Sequence, residues 1–305
     1  ARDVARAGFR VLLLEEHKEV GLPLHCSGFV TPRTMELAGV SDEVVLLKVR
    51  GAVVYSASGR SLVLGGDRVR ALVLDRVMLD RKLAVAAQEA GAHLALGNRL
   101  AGIERTDHHL TLRVSTTTGG ATVRTRLLVG ADGVRSVVAR WMGQEGGETI
   151  WGIGAEASLP DHPPDMVQVF VGNELAPGWF GWTIPLPEGR VRIGIGTIFG
   201  PPTPNKSGPR PRVLLHQLLA AFPAQFRGVE LHSFSGGLIP LYHPIRTSAD
   251  NALLVGDAAR QVKPTSGGGI YTSLLSARHA AAAAVAALQQ GDFSEAALSS
   301  YEAQW

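Results

Sequence analysis

The sequence has little cysteine and no long apolar run. Its 305 residues include one cysteine, which excludes a disulfide framework and a cysteine-rich zinc site and makes a reducing, cytoplasmic compartment the default. A membrane-spanning helix needs about 18 or more consecutive apolar residues, and the sequence contains no such run. We therefore expect contact with a membrane to be peripheral at most, at its inner face, and we expect no metal site.

Neither sign of charge dominates. Lys and Arg number 30 and Asp and Glu 27, for a net charge of +3, and the two signs are interspersed. Without a basic stripe or interleaved aromatic residues, the composition argues against nucleic acid as a partner. With 45% hydrophobic residues, a chain of this length can bury a large core, and we expect it to form two intertwined domains.

The chain is organised around a glycine-rich loop between a predicted buried strand at 252–255 and a predicted helix at 273–287. Glycine lets backbone amides approach a ligand closely, and three glycines at a helix start expose unpaired N–H groups and the positive end of the helix dipole. An acid at the end of a buried strand can accept hydrogen bonds from sugar-like hydroxyls. The candidate cofactor-binding residues here are Gly256, Asp257, Ala258, Pro264, Gly267, Gly268, Gly269 and Ile270.

Two further segments follow the same logic. A helix ending at Gly8 and a buried strand at 9–14 lead to Glu15, which is typical of the second half of a dinucleotide-binding unit, in which the acid binds a ribose. The first half, a strand with a glycine-rich turn, is missing, so we expect roughly 15 to 20 residues to have been lost upstream. A helix predicted at 293–305 looks cut short. Asp132 and Gly133 likewise follow a predicted strand at 127–129.

These motifs resemble the flavoprotein hydroxylase superfamily, in the form typical of geranylgeranyl reductases. The resemblance implies FAD as cofactor, with Asp257 on its ribityl or ribose hydroxyls, the glycine loop along the isoalloxazine ring, and Asp132 and Gly133 supporting the pyrophosphate. It also implies that Arg76 contacts FAD and that Cys26 lies beside the flavin. Simpler readings stay open: Glu15 as a solvated acid, Arg76 as a surface arginine at a helix start, and Cys26 as a buried inert thiol rather than a proton donor or redox residue.

An aromatic segment carries the second resemblance. Trp179, Phe180, Trp182, Ile184 and Pro185, followed by a glycine-alternating strand, are similar to the substrate motif of geranylgeranyl reductases, although Phe180 stands where that family usually has Tyr and Ile184 where it has Phe. The segment is also similar to the Trp-x-Trp-x-Ile-Pro signature of flavin halogenases, but Trp179 is one residue out of register. The alternative is that these aromatic side chains simply fill one face of a sheet.

The predicted fold is α/β: a doubly wound, Rossmann-like FAD-binding domain with an interleaved antiparallel-sheet substrate domain. The FAD-binding domain takes residues 1–50, 67–150 and 250–305, and the substrate-binding domain takes 51–66 and 151–249. Turn residues at 58–59 and 118–120 predict two hairpins. Five prolines between Pro201 and Pro211 predict a surface loop or flap.

The resemblance implies an FAD-dependent oxidoreductase that reduces carbon–carbon double bonds of a geranylgeranyl-type lipid or quinone, with electrons from NAD(P)H, ferredoxin or a deazaflavin. Cys26 and Tyr271 are the candidate proton donors, with His25 and Tyr242 as further possibilities. An aromatic or polyketide hydroxylase shares every FAD motif and is the rival enzyme, with a halogenase third. An inactive flavin-binding fragment is the non-enzyme alternative.

Overall fold

A computed structural model describes residues 1–106, 109–144, 146–198, 200 and 211–305. Of the loop predicted from Pro201 to Pro211, residues 201–210 lie outside the described residues, and Pro211 is the first residue of α5. The helices in these ranges are α1 (Arg2–Arg6), α2 (Arg33–Ala38), α3 (Arg76–Glu89), α4 (Val137–Trp141), α5 (Pro211–Ala221), α6 (Ile270–Gln290), α7 (Glu295–Leu298) and α8 (Ser300–Gln304), with 3-10 turns at Asp42–Val44 and Gly256–Ala259. None of the described helices combines the length and apolarity needed to span a bilayer.

The strands fall into five sheets. In chain order they are β1 (Leu12–Glu15), β2 (Phe29–Val30), β3 (Val45–Val49), β4 (Gly51–Ser56), β5 (Ser61–Gly65), β6 (Ala71–Leu74), β7 (His93–Leu96), β8 (Arg99–Arg105), β9 (Leu110–Thr116), β10 (Gly119–Thr125), β11 (Leu128–Gly130), β12 (Thr149–Ser158), β13 (Met166–Val171), β14 (Phe180–Pro185), β15 (Arg190–Thr197), β16 (Glu230–Pro240), β17 (Ser248–Ala249) and β18 (Ala252–Leu254). Their orders are β1-β7, β10-β9-β8, β11-β18-β17, β2-β6-β3 and β16-β12-β15-β14-β13-β4-β5.

Parallel pairs with helices packed on them form the first layer. β1 pairs with β7, and β11 with β18, both in parallel register. α6 covers β18 with alanines spaced at helical intervals, which allow close approach to Leu253; these alanines are Ala280, Ala283, Ala284 and Ala287. β18 is fully buried, as predicted from its apolar sequence, and it carries the glycine-rich loop at its carboxyl end.

The strand before Glu15 differs from the prediction. It is shorter than 9–14, beginning at Leu12, and it is only half-buried, with Leu12 42% exposed. In the described residues β1 is hydrogen-bonded along one edge, to β7. A parallel strand is buried only when neighbours and helices cover it on all sides, so apolar composition alone overstated its burial.

The seven-stranded sheet is the second layer. One face packs on α5, where Leu214, Leu215 and Leu218 meet Phe170 and Ile193. The opposite face meets the β2-β6-β3 sheet, where Ile184 packs with Val49, Ala71 and Val73. Trp182 packs against the same cluster as Ile184, so the face of the seven-stranded sheet that bears Trp182 is the one turned toward the β2-β6-β3 sheet.

One pairing in this sheet is not antiparallel, contrary to the prediction of an antiparallel substrate sheet. β13 runs parallel to β4 over the full length of both strands. The two strands begin at the same end of the sheet, where the Arg50 N–H donates to the Asp165 carbonyl at 2.8 Å. Parallel pairing requires a long connection between the strands, which the chain supplies by passing through the first layer between them.

Both predicted hairpins are present. β4 and β5 pair antiparallel around Ser58 and Gly59 and join the seven-stranded sheet. β9 and β10 pair antiparallel, with β8 added at their edge. The grouping of β4 and β5 with the later strands is the one that the predicted domain boundaries assume, and the boundaries themselves stay a prediction.

Candidate functional site

The turn after β18 is held from inside the protein. Gly256 has φ +64, and its N–H donates to Gln261 Oε1 at 2.8 Å. Gln261 Nε2 donates to the Tyr301 hydroxyl at 2.7 Å, which in turn donates to the Leu254 carbonyl at 2.8 Å. Burial raises the pKa of Tyr301 to about 12, so the phenol stays protonated and keeps its donor role. This series of hydrogen bonds, which begins at Tyr301 of α8, thus fixes the backbone turn from which Asp257 projects.

Asp257 is a half-buried carboxylate. Burial raises its pKa, and the nearby Arg76 guanidinium partly offsets that rise. A Cβ at Gly269 would lie 3.0 Å from Asp257 Oδ1, so the carboxylate lies beside the start of α6. Within the described ranges no group donates a hydrogen bond to Asp257. A half-buried acceptor of this kind is open to a donor from a ligand, such as a sugar hydroxyl.

The glycine loop brings the two motifs of the sequence together. Gly267 has φ +65, and its N–H donates to the Lys263 carbonyl at 2.9 Å. A Cβ there would lie 2.7 Å from Ile239 Cγ2 and 3.2 Å from Trp179 Cζ2, so only glycine fits. α6 begins at Ile270 after Gly269, and no side chain caps it. Its first N–H groups and dipole therefore suit a ligand that carries negative charge.

The other predicted residues of this loop differ in their placement. Ala258 is in the core with Val138 and Leu254, so only its backbone can face a ligand. Pro264 is exposed, and Ile270 packs against the cluster that contains Leu79. Gly268 leaves room beside its backbone, where a Cβ would lie no closer than 3.5 Å to any neighbour.

Arg76 links this loop to the segment around Cys26. It begins α3, and its Nη2 donates to both carboxylate oxygens of Asp80 at 3.0 Å. Burial lowers its pKa, but Cys26 and Asp80 outweigh that effect and the pKa is raised overall. The side chain is 18% exposed, and its Nε has no hydrogen-bond partner in the described structure. The Arg76 side chain is thus mostly enclosed by protein rather than free on the surface, and its contact with FAD stays a prediction.

Cys26 lies on the loop before β2. Its thiol is free and half-buried, and its Sγ accepts from the Gly28 N–H at 3.5 Å. The neighbouring His25 approaches the seven-stranded sheet, since a Cβ at Gly237 would lie 3.9 Å from His25 Cβ. Tyr271, in the first turn of α6, is half-buried, with Lys263 Nζ 5.8 Å from its ring centroid. Roles for Cys26 and Tyr271 as proton donors stay predictions.

Asp132 and Glu15 both have protein partners. Asp132 Oδ2 accepts from the N–H groups of Val137 at 2.7 Å and Val138 at 3.2 Å, and its Oδ1 accepts from the Ser136 hydroxyl. It therefore caps α4. Gly133 has φ +74 and open space around it, so its backbone is free to approach a ligand. Glu15 Oε1 accepts from the backbone N–H of the adjacent His17 at 2.8 Å. For both acids, binding of a cofactor stays a prediction.

The aromatic segment lies on the glycine-alternating strand. A Cβ at Gly194 would lie 2.2 Å from Trp182 Cζ2, and one at Gly196 would lie 2.4 Å from Trp179 Cδ1. The two glycines of β15 therefore make room for two indole rings. Phe180 stacks on Trp179 with centroids 5.0 Å apart and meets Trp182 edge-on at 5.9 Å. These three rings, the aromatic cluster, adjoin the glycine loop at Gly267.

The last two residues of the same motif, Ile184 and Pro185, lie on opposite faces of the sheet. Ile184 is 4% exposed and packed between the two layers. Pro185 pairs with Val191, which belongs to the cluster beneath α5, so Pro185 occupies the opposite face of the sheet from Trp182. The structure therefore brings Ile184 close to Trp182, which packs against the same hydrophobic cluster, but it places Pro185 away from the aromatic cluster.

Three side chains that hold this site in place were missed from the sequence. Gln261 and Tyr301 fix the Gly256 turn, and Arg192 of β15 donates to the Ser27 carbonyl at 2.7 Å. A charged residue at an inward position of a glycine-alternating strand was a usable signal for Arg192. Nothing local marks the other two, whose contacts depend on tertiary packing.

The fold and the site define a class of flavoprotein. The FAD-binding domain family, described as "FAD binding domain", matches residues 1–304. This match confirms the predicted cofactor and the α/β fold class. A geranylgeranyl bacteriochlorophyll reductase-like protein from Thermoplasma acidophilum has the same fold, with a TM-score of 0.89 at 23% identity over 99% of this chain and 78% of its own.

A curated relative narrows the class. Digeranylgeranylglycerophospholipid reductase 2 of Methanopyrus kandleri is 32% identical over 99% of this chain and 77% of its own length. The chain belongs to the FAD-binding domain family and, within it, to the family of this reductase. The resemblance to geranylgeranyl reductases is thereby confirmed. p-Nitrophenol 4-monooxygenase from Pseudomonas putida shares the fold more distantly, with a TM-score of 0.76 at 18% identity over 99% of this chain and 79% of its own.

Proposed function

We propose that this protein is an FAD-dependent reductase that saturates carbon–carbon double bonds in the geranylgeranyl chains of a glycerophospholipid. The observation that carries the proposal is the contact between the aromatic cluster and the glycine loop at Gly267 and Trp179. An apolar aromatic wall directly beside a flavin-type loop is what an isolated alkene requires, because an alkene offers no polar group to bind. The substrate named for the Methanopyrus relative supplies the lipid class.

The residues present fit FAD. Asp257 is a half-buried carboxylate to which no described group donates, Arg76 Nε is a buried donor without an acceptor, and Gly268 leaves open space beside the backbone of the loop. These residues would hold the cofactor together with the uncapped start of α6. FAD, when bound and reduced, supplies a hydride to one alkene carbon.

The chain's own residues have three tasks. Trp179, Phe180 and Trp182 exclude water and fix the prenyl chain by shape, since positioning must replace polar recognition. The start of α6 stabilises negative charge beside the loop. A proton must reach the second alkene carbon, and we propose Cys26 Sγ or the Tyr271 hydroxyl as its source, because both lie on segments that adjoin the loop.

Two features of its surroundings follow from the proposal. The reductant that recharges the flavin is NAD(P)H, ferredoxin or a deazaflavin: the flavin takes up two electrons, which NAD(P)H or a reduced deazaflavin delivers as a hydride and ferredoxin delivers one at a time. Because the substrate is a membrane lipid, we propose that the protein works in the cytoplasm and docks peripherally on the inner face of the membrane.

The test is anaerobic single turnover. The FAD-loaded protein is reduced with dithionite and mixed with digeranylgeranylglycerophospholipid in detergent, with the fully saturated lipid as the matched control. We expect flavin reoxidation with the unsaturated lipid only, and a product heavier by two hydrogens for each bond reduced. Absence of reoxidation, together with oxygen consumption when an aromatic substrate is added in air, would refute the proposal in favour of a hydroxylase of the kind to which the Pseudomonas enzyme belongs.

A further inference from the structure

Arg192 connects the aromatic sheet to the loop that carries Cys26. Its Nη1 donates to the Ser27 carbonyl at 2.7 Å and to the Leu74 carbonyl at 3.3 Å. Its Nε donates to Glu156 Oε1 at 3.2 Å. The side chain is 12% exposed, so the ion pair and the two carbonyl contacts replace the hydration that the guanidinium loses on burial. One charged group thus spans the two layers.

Both carbonyls belong to segments of the proposed site. Ser27 follows Cys26 directly, and Leu74 precedes Asp75, the residue that caps α3 just before Arg76. The segments are tightly packed at Gly28, which has φ +66. A Cβ there would lie 2.5 Å from the Leu74 carbonyl oxygen, 3.1 Å from Arg192 Nη1 and 3.2 Å from Arg76 Cγ.

Arg192 also has a defined place in the sheet. It pairs with Ile184 of β14 on one side and with Glu156 of β12 on the other. Cross-strand partners project from the same face, so all three lie on the face that bears Trp182. The next inward position on β15 is Gly194, beneath the Trp182 ring. Arg192 therefore ties the loop to the strand that seats the aromatic cluster.

We propose that Arg192 is a positioning residue, which sets Cys26 Sγ and the Arg76 guanidinium at a fixed distance from the aromatic cluster. This inference rests on the proposed function, in that it assumes these groups face a common flavin and substrate. The structural part of the proposal can be tested without turnover. When the guanidinium is removed, two carbonyls lose this donor and the Cys26 loop loses its link to the sheet. The loop then opens more often and exposes the thiol.

Cys26 is the only cysteine of the chain, so its alkylation can be read without background. We would measure the rate of iodoacetamide labelling, by mass, in FAD-loaded Arg192→Gln and Arg190→Gln variants. Arg190 is the matched control: it lies two residues away on β15 and approaches the same carboxylate, Glu156 Oε2, at 3.8 Å, but it is 45% exposed. We expect labelling about tenfold faster in R192Q, since each charge-assisted hydrogen bond restrains the loop, and less than about twofold faster in R190Q.

Two further variants protect the test. Arg192→Lys keeps a donor within reach of one carbonyl and should recover part of the protection. Glu156→Gln leaves both carbonyl contacts in place but removes the carboxylate that holds the guanidinium. It should label faster than R190Q, and this comparison keeps the proposal testable if R192Q does not fold. In the turnover assay R192Q should lower kcat more than it raises KM, because the groups that it displaces act on the bound lipid.

The positioning role would be overturned if iodoacetamide labelled Cys26 in folded R192Q at the wild-type rate. It would also be overturned if R190Q and R192Q accelerated the labelling equally. These results are distinguishable from failure of the proposed function. If the protein does not reduce prenyl lipids and R192Q still exposes Cys26, the coupling of loop and sheet stands and only the reaction is wrong.

Discussion

Gly194→Ala is the sharpest probe of how the aromatic cluster is seated. A Cβ at this position would lie 2.2 Å from Trp182 Cζ2 and 2.4 Å from Cε2, whereas carbon atoms in contact prefer about 3.5–4.0 Å. The indole ring must therefore move by more than about 1 Å. Overpacking of this kind costs about 1–3 kcal/mol, against a gain of roughly 0.4–1 kcal/mol from the stiffer unfolded chain.

Gly152→Ala is the matched control. Gly152 lies on the neighbouring β12, paired with Gly196, and the nearest atom to its Cβ would be the Gly237 carbonyl oxygen at 3.7 Å. It should be neutral or stabilised by up to about 1 kcal/mol. Because the gain from the stiffer unfolded chain is common to both, the two variants should differ by about 1–3 kcal/mol in free energy of unfolding, or roughly 2–5 °C in Tm for a chain of this size.

The assay is thermal and urea unfolding of both variants and of Gly194→Ala in a Trp182→Leu background. Trimming the ring should remove the clash, so the double variant should recover about 1–2 kcal/mol relative to the sum of the single changes. If Gly194→Ala proves as stable as Gly152→Ala, or if its effect is additive with that of Trp182→Leu, the Trp182 indole does not lie over β15. The placement of the aromatic cluster on β15 would then be wrong.

Three further predictions concern buried polar groups. Asp257→Asn should weaken FAD binding at least about tenfold in a fluorescence titration, because a charged acceptor is lost. The pKa of Asp257 is raised in the folded protein, so its ionised form destabilises the fold at pH 7. Without FAD, the variant should therefore be more stable than the wild type at pH 7, and this difference in stability should shrink as the pH falls. His162→Gln should flatten the pH dependence of stability: burial lowers the pKa of His162, the unfolded chain takes up the proton first, and wild-type Tm should fall between pH 7 and 5 more steeply than the variant's. Tyr301→Phe removes the acceptor of Gln261 Nε2 and the donor to the Leu254 carbonyl, so it should cost about 1–3 kcal/mol in urea unfolding and weaken FAD binding. Unchanged FAD affinity would contradict the link to the Gly256 turn.

Elements set by contacts within a few residues were predictable. Asp75 caps α3 through the Met78 N–H at 2.9 Å, and Ser136 caps α4 through the Ala139 N–H at 2.8 Å. α6 begins directly after the three glycines, as predicted, although its first residue, Ile270, precedes the predicted bound at 273. In each case one side chain or one glycine determines the local backbone, so the sequence carries the whole signal.

Features that depend on distant segments were not predictable. The parallel pairing of β4 with β13 needs the path of the intervening chain, and the Arg192–Ser27 contact joins residues 165 positions apart. The glycines of β15 showed that something lies against that strand, but only the structure identifies two indole rings there. For the same reason the segment from Trp179 to Pro185 was predicted to be a single substrate motif, although Pro185 lies on the other face of the sheet.

The measurement that tests the central claim most directly is the position of the prenyl chain relative to the flavin in a crystal structure of the FAD complex with digeranylgeranylglycerophospholipid. The account predicts the isoalloxazine ring against Gly267 and Gly269, with an alkene carbon of the lipid between that ring and Trp179 or Trp182. A lipid bound on the α5 face of the sheet, or a flavin away from the glycine loop, would contradict it.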